Sequence, residues 1–250
     1  MFGKNVQRPQ ALTDGLHLRV QSVFPTIQGE GPYVGYPALF VRLHGCNLAC
    51  SFCDTDFESK PTIVGIDSLV TIAQDVTRGH QFPLVVITGG EPLLQNIVPL
   101  VEALADVQIA SQIETAGTVW VPGLEHTFAT IVCSPKTPKV HPMIQRWCTA
   151  WKYIVRDNGD QMAYSEVDGL PVKATQAGHE GQDSILARPE RSDTTIYLQP
   201  CEEYLHSNHN APEPLPYPQR TDANTTLAVR LCIKHGYRLS IQVHKVVNLP

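Results

Sequence analysis

Gly45-Cys46-Asn47-Leu48-Ala49-Cys50-Ser51-Phe52-Cys53-Asp54-Thr55-Asp56 holds three cysteines in a C-x3-C-x2-C pattern, with no fourth partner nearby. Thiolates select soft metal centres: iron–sulfur clusters, zinc or Cu(I). A [4Fe–4S] cluster wants four ligands, so three from the protein leave one iron free to bind something else. A structural zinc site normally needs four protein ligands. His44 is a candidate fourth, but its place in a strand argues against it.

The run that delivers the chain into this loop is Ala-Leu-Phe-Val-Arg-Leu-His at 38–44, which reads as a buried strand ending at Gly45. Arg42 is a charge inside it, and alternation puts it on the face of Phe40 and His44. A buried arginine needs a carboxylate or phosphate partner; the other reading is an arginine reaching solvent from a strand edge. Upstream, a short strand from Val20 leads into Gln28-Gly29-Glu30-Gly31, where glycines permit a close backbone approach. On its own that pattern is also an ordinary turn.

Downstream the rhythm is strand, polar loop, helix or crossover, strand. Apolar residues at 66, 69, 70, 73 and 76 predict an amphipathic helix, with Asp67 or Ser68 as its cap and Gly79 at its end. Strands are expected at 84–88, 107–115, 129–133, 151–155, 195–198 and 237–243, and helices at 93–105 and 227–235. This order predicts an α/β fold with parallel strands, barrel-like or doubly wound. Ligands collect at the carboxyl ends of such strands. The closing loops there are Gly89-Gly90-Glu91-Pro92, Glu114-Thr115-Ala116-Gly117, Ser134-Pro135-Lys136 and Gln199-Pro200-Cys201-Glu202. The chain reads as one domain over 1–250, with a loose arm at 1–17 and an irregular insertion at 157–193.

At 250 residues the chain is long enough for a substantial core. A net charge of −5 argues against a duplex-binding surface, which needs clustered cations. No stretch reaches the ~20 apolar residues of a membrane span, and residues 1–8 lack an apolar signal core. A cytoplasmic location is the expectation. The count of seven cysteines is odd and three are clustered, so metal-bound thiolates fit better than a disulfide framework. Cys133, Cys148, Cys201 and Cys232 read as buried small hydrophobes.

The three-cysteine pattern with Phe52 before its last member resembles the signature of the radical S-adenosylmethionine (SAM) superfamily. Gly89-Gly90-Glu91-Pro92 at a strand end resembles that superfamily's second motif. A narrower resemblance covers almost the full length. Ile27-Gln28-Gly29-Glu30-Gly31, Gly35-Tyr36-Pro37, Phe40-Val41-Arg42, Cys53-Asp54-Thr55, Glu114-Thr115-x-Gly117, Ser134-Pro135-Lys136, Gln199-Pro200 and the Leu249-Pro250 ending are similar to the 7-carboxy-7-deazaguanine synthase family.

That resemblance implies a partial, open β/α barrel of radical SAM type with its active site at the C-terminal strand ends. It implies a carbon–nitrogen lyase that contracts the ring of 6-carboxy-5,6,7,8-tetrahydropterin to 7-carboxy-7-deazaguanine with loss of ammonia, feeding queuosine and other deazapurines. Cys46, Cys50 and Cys53 would hold the cluster, and Thr55 a Mg2+ ion. Phe52, Gly89, Gly90, Glu91, Gly117, Ser134, Pro135, Lys136, Gln199, Pro200, Cys201 and Glu202 would line the SAM site. Ile27, Gln28, Gly29, Arg42, Thr115 and the terminal carboxylate of Pro250 would contact the pterin. The resemblance also implies a homodimer and an electron donor such as flavodoxin or ferredoxin. Two rivals remain. A glycyl-radical activase shares the cysteine spacing but acts on a protein. A non-catalytic iron–sulfur or zinc module leaves Gly-Gly-Glu-Pro and Gln-Gly-Glu-Gly unexplained.

Overall fold

The apolar run before the cysteines is the strand Pro37–Leu43 (β2), and it lies inside a sheet. The computed structural model describes residues 4–53, 55–159, 163–173, 185–205, 215–216 and 218–249. Its strands are β1 (His17–Ile27), β2, β3 (Thr62–Gly65), β4 (Leu84–Gly89), β5 (Ala110–Thr115) and β6 (Thr130–Cys133), then β7 (Ala150–Val155), β8 (Thr195–Pro200), β9 (Tyr204–Leu205), β10 (Leu215–Pro216) and β11 (Arg238–Leu239). Helices are α1 (Ile66–Val76), α2 (Val98–Asp106), α3 (Pro142–Trp147), α4 (Pro218–His235) and α5 (Val243–Val246).

Nine strands form one open sheet in the order β11-β8-β7-β6-β5-β4-β2-β1-β3, while β9 and β10 pair separately. From β2 to β11 every neighbouring pair is parallel. Crossovers through helices force that direction. β1 alone runs against it, because it returns into β2 through a short turn at Gly31–Tyr33; it pairs antiparallel with β2 on one side and on the other with β3, which runs in the direction of β2. The expected all-parallel sheet therefore carries an antiparallel edge.

Alternation along each strand separates two faces. Val41, Ile87, Ile113, Ile131, Trp151 and Leu198 point into the main core beneath the helices. The opposite face is layered. Its lower level is apolar, with Ala38, Leu84 and Val86 on one side and Val132, Ala150 and Tyr197 on the other. Its upper level, at the carboxyl ends, carries Arg42, Thr88, Glu114 and Lys152. That row is the floor of the functional site.

Several elements differ from expectation. The helix expected at 93–105 is a short 3₁₀ turn, Pro92–Leu94, followed by α2. Pro99 sits in the first turn of α2, where its missing N–H costs nothing. α1 begins after Gly65 with no side-chain cap, and its C-cap is Thr77 rather than Gly79. The final strand is confined to Arg238–Leu239, and the residues after it turn into α5. Residues 4–16 are not a loose arm. Asn5 Nδ2 donates to Leu48 O (2.7 Å), Arg8 N to Cys46 O (2.8 Å), and Gln10 Nε2 to Leu93 O and Trp120 O (both 2.8 Å). In the insertion, Leu170, Leu186 and Ala187 are buried in the main core, and Tyr153 Oη donates to Ala187 O (2.6 Å).

Candidate active site

β2 ends at Leu43, and Gly45 turns the chain with φ +87, a conformation that favours glycine. The cysteine loop then crosses the carboxyl end of the sheet. Gly45 N donates to Phe57 O (3.0 Å) and Asn47 Nδ2 to Thr118 Oγ1 (2.8 Å), so the loop is held at both ends. Cys46, Leu48 and Phe57 are buried together, with Cys50, Cys53 and Ala116 against them.

The glycines at the end of β4 are required by contact. A Cβ on Gly89 would lie 2.3 Å from Leu43 O, and one on Gly90 2.2 Å from Gly45 O. Both neighbours are backbone and cannot yield. Glu91 follows, fully buried, and spends its carboxylate on its own chain. Leu93 N (3.0 Å) and Thr115 Oγ1 (2.8 Å) donate to Oε1, and Ala116 N (2.8 Å) donates to Oε2. Burial nonetheless pushes its pKa above the ordinary carboxylate value, against these hydrogen bonds. The Glu91 carboxylate thus braces the β4 loop against the β5 loop.

Two cavities share a wall. One, of about 180 Å3, is lined by Cys46, Cys50, Phe52, Cys53, Gly89 and Gly90, with Thr115, Ser134 and Lys136 opposite. Lys136 Nζ donates to Ser134 O (2.7 Å) and Ser134 Oγ (2.6 Å) and lies 6.0 Å from the centre of the Phe52 ring. The second, of about 420 Å3, is lined by Gln28, Glu30, Phe40, Arg42, Thr55 and Asp56 on one side and by Gln242, His244 and Leu249 on the other. Thr88, Glu114 and Lys152 line both.

The three thiols suit an iron–sulfur cluster. Among the described residues, no three His, Cys, Asp or Glu side chains gather closely enough to hold a single metal ion. The thiols instead form one wall of a cavity with space beside it. Burial pushes the Cys46 thiol up to about 12, and Glu91 adds to this. Because a thiol must deprotonate to ligate, a cationic iron centre would displace that proton.

The second cavity suits a polar, flat ligand with a carboxylate. Gln28 is 2% exposed, its Oε1 accepts from Glu30 N (3.1 Å), and its Nε2 is an unpartnered donor. Arg42 lies 5.4 Å from the Phe24 ring centre and presents a planar cation. His44, expected on the same face, falls beyond the strand and sits 3.4 Å from Gln21 Oε1 instead. Asp56 accepts from Glu58 N (3.1 Å) and Ser59 N (3.2 Å), which forms the turn beside Thr55.

Ile27, Gly29, Gly117, Pro135 and the 199–202 segment are not among the residues that line these two cavities. Gly29 is pressed against His244, and Gly117 against Cys133 Sγ. Glu202 pairs with Lys245. Pro250 lies outside the described residues.

Sequence reading missed Lys152. Its ammonium is paired with Glu30 and with Glu114 (2.8 Å), and its side chain is 7% exposed. Burial opposes its charge, but the two carboxylates outweigh this and hold its pKa above the ordinary lysine value. The carboxylates respond differently. Burial raises Glu30, yet Lys152, Gln242 and His244 bring it below the usual range. Glu114 stays raised, by burial first and by repulsion from Glu30. The available signal was a lone charge in the apolar run Ala-Trp-Lys-Tyr-Ile-Val, the same signal that Arg42 gave.

A model of the Radical SAM superfamily matches residues 40–132. The chain is 39% identical over 255 residues to a 7-carboxy-7-deazaguanine synthase of Rhodospirillum rubrum, covering 100% of both chains. It is 36% identical over 255 residues to one from Rickettsia prowazekii, covering 100% of this chain and 96% of that one. QueE from Escherichia coli shares its fold, with a TM-score of 0.61 at 24% identity over 90% of this chain and 94% of that one. With the cysteine loop, the glycine turn and the Arg42 strand in place, this full-length similarity means that the chain belongs to the 7-carboxy-7-deazaguanine synthase family.

Proposed function

We propose that this chain converts 6-carboxy-5,6,7,8-tetrahydropterin to 7-carboxy-7-deazaguanine with release of ammonia, as a radical SAM lyase in queuosine and 7-deazapurine biosynthesis. The observation that carries this reading is the shared wall. A cavity lined by three thiols opens beside one lined by Arg42 and Gln28, and Thr88, Glu114 and Lys152 belong to both.

Cys46, Cys50 and Cys53 would hold a [4Fe–4S] cluster, which with bound SAM supplies the one-electron chemistry that starts the reaction. The remaining work falls to the chain. Gly89 and Gly90 would let backbone approach the methionine half of SAM, with Phe52 beside them and Ser134 and Lys136 closing the opposite side. Arg42 would hold the pterin carboxylate through a bidentate contact. Gln28 Nε2 would donate to the ring carbonyl, and Thr115, on the thiol cavity, would contact the pterin from that side. Thr55, beside Arg42 on the second cavity, would hold a Mg2+ ion, which takes few protein ligands and keeps its waters. The ion would orient the same carboxylate from its other side. The apolar layer below, with Val132 and Ala150, keeps water from reaching the site through the sheet.

The continuous nine-stranded sheet supports one domain over 1–250, with 157–193 as an insertion between β7 and β8. No helix among the described residues is long and apolar enough to cross a membrane. A cytoplasmic homodimer reduced by flavodoxin or ferredoxin completes the proposal.

The test is anaerobic. The chain reconstituted with iron and sulfide should be brown. With SAM, reductant and carboxytetrahydropterin it should release 7-carboxy-7-deazaguanine and an equal amount of ammonia, read by mass spectrometry and ammonia assay. A colourless zinc protein, or one that cleaves SAM without making deazapurine, would contradict the proposal.

A further inference from the structure

Lys152 stands at an expensive place. Trp151 and Tyr153 beside it point into the main core, so alternation turns Lys152 onto the opposite face, above the apolar layer of Val132, Ala150 and Tyr197. There it meets Glu30 from the turn after β1 and Glu114 from β5. Three charges are withdrawn from water. A buried ion pair of this kind is a weak source of stability, and an apolar replacement is often neutral or better. The triad is also unbalanced, with two carboxylates to one ammonium.

The oxygens show what the imbalance leaves open. Glu30 accepts from Lys152 on Oε2 and from Gln242 Nε2 (2.8 Å) on Oε1. Glu114 accepts from Lys152 Nζ on Oε2 (2.8 Å) and from Gln112 Nε2 on Oε1 (2.5 Å). A carboxylate offers about four acceptor positions, so each keeps capacity for further donors. Both side chains line the cavity that contains Arg42 and Gln28.

We propose that Lys152 is a positioning residue that holds Glu30 and Glu114 together as fixed acceptors where the two cavities meet, ready for a ligand that brings N–H donors. This rests on the proposed reading of the second cavity as the pterin site, since an aminopyrimidinone edge carries such donors. Lys152 acts through the two carboxylates. Without it they face each other as like charges, and the pair loses its spacing.

The test compares Lys152→Met, which keeps the length and loses the charge, with Lys152→Arg. Steady-state kinetics on the cluster-loaded chain are read beside anaerobic calorimetry with 7-carboxy-7-deazaguanine as probe, and separately with SAM. Losing one partner of a buried charge set weakens binding by about 30-fold or more. We expect K152M to raise the KM for carboxytetrahydropterin and the Kd for the product by about that factor. SAM affinity should be unchanged, kcat should change far less than KM, and Lys152→Arg should recover most of the loss. If K152M does not fold, the double variant Lys152→Met with Glu114→Gln removes the like-charge pair and should fold while keeping the raised KM. An unchanged KM and Kd in a folded variant would overturn the inference, as would a loss confined to kcat. A wild-type chain that makes no deazapurine would instead sink the proposed function.

Discussion

Arg42 and Lys152 carry the same lesson about single residues. Each is a cation set in an apolar strand, a place where a charge is too costly to be accidental. Arg42 was legible because the strand runs straight into the cysteines. Lys152 was not, because its partners come from distant loops that only the folded sheet brings near. Glu91 was legible as part of its motif, but its bonds to Thr115 and Ala116 on the β5 loop were not. The glycines allow a sharper prediction. Gly90→Ala would put a methyl group 2.2 Å from Gly45 O. Overpacking costs about 1–3 kcal/mol where side chains can move, and here only backbone can. The variant should therefore unfold at a lower temperature and take up less iron on reconstitution. Wild-type iron content at an unchanged melting temperature would contradict this account of the turn.

Among the elements, the central strands were legible from their apolar runs and β-branched residues. The margins were not. Helix α4 begins at Pro218, well before the apolar periodicity at 227. Its first half is polar and is anchored by hydrogen bonds instead. Asn224 Nδ2 donates to Cys201 O (2.8 Å) and to Glu203 Oε1 (3.2 Å). The strand expected at 237–243 stops at Leu239, and Gln242, just before the single turn of α5, is set against Glu30. The α4 anchor has a pH signature. Arg156 grips Glu203 with two bonds of 2.7 Å. Burial raises the Glu203 pKa, but Arg156 and Asn224 outweigh it and hold the group below its ordinary 4.5. A depressed carboxylate stabilises the fold above its unfolded pKa, and that stability is lost as pH falls through the folded value. Glu203→Gln should thus lower stability at neutral pH by about 2 kcal/mol, the scale of a hydrogen bond to a charged group in a partly exposed pair. The gap from wild type in urea unfolding should close as pH drops below 4.5. A gap that stays constant with pH would show that the ion pair does not anchor α4.

At the scale of the whole molecule, the sequence order of strands and helices announced a largely parallel α/β sheet, and the comparisons bear this out. The rim was legible too, since closing loops after parallel strands must share one edge. What could not be read was how that edge divides into two cavities, or that residues 4–11 lie along the cysteine loop. Both depend on contacts between segments far apart in sequence, such as Arg8 N with Cys46 O. The central claim is that one site joins the thiol cavity to the Arg42 cavity across Thr88, Glu114 and Lys152. A crystal structure of the cluster-loaded chain with SAM and carboxytetrahydropterin tests it most directly. SAM should lie against Gly89 and Gly90, the pterin carboxylate on Arg42, and the reacting ends of both ligands should meet beside Lys152. Pterin bound elsewhere, as in the separate cavity beside Tyr164 and Arg230, would contradict it.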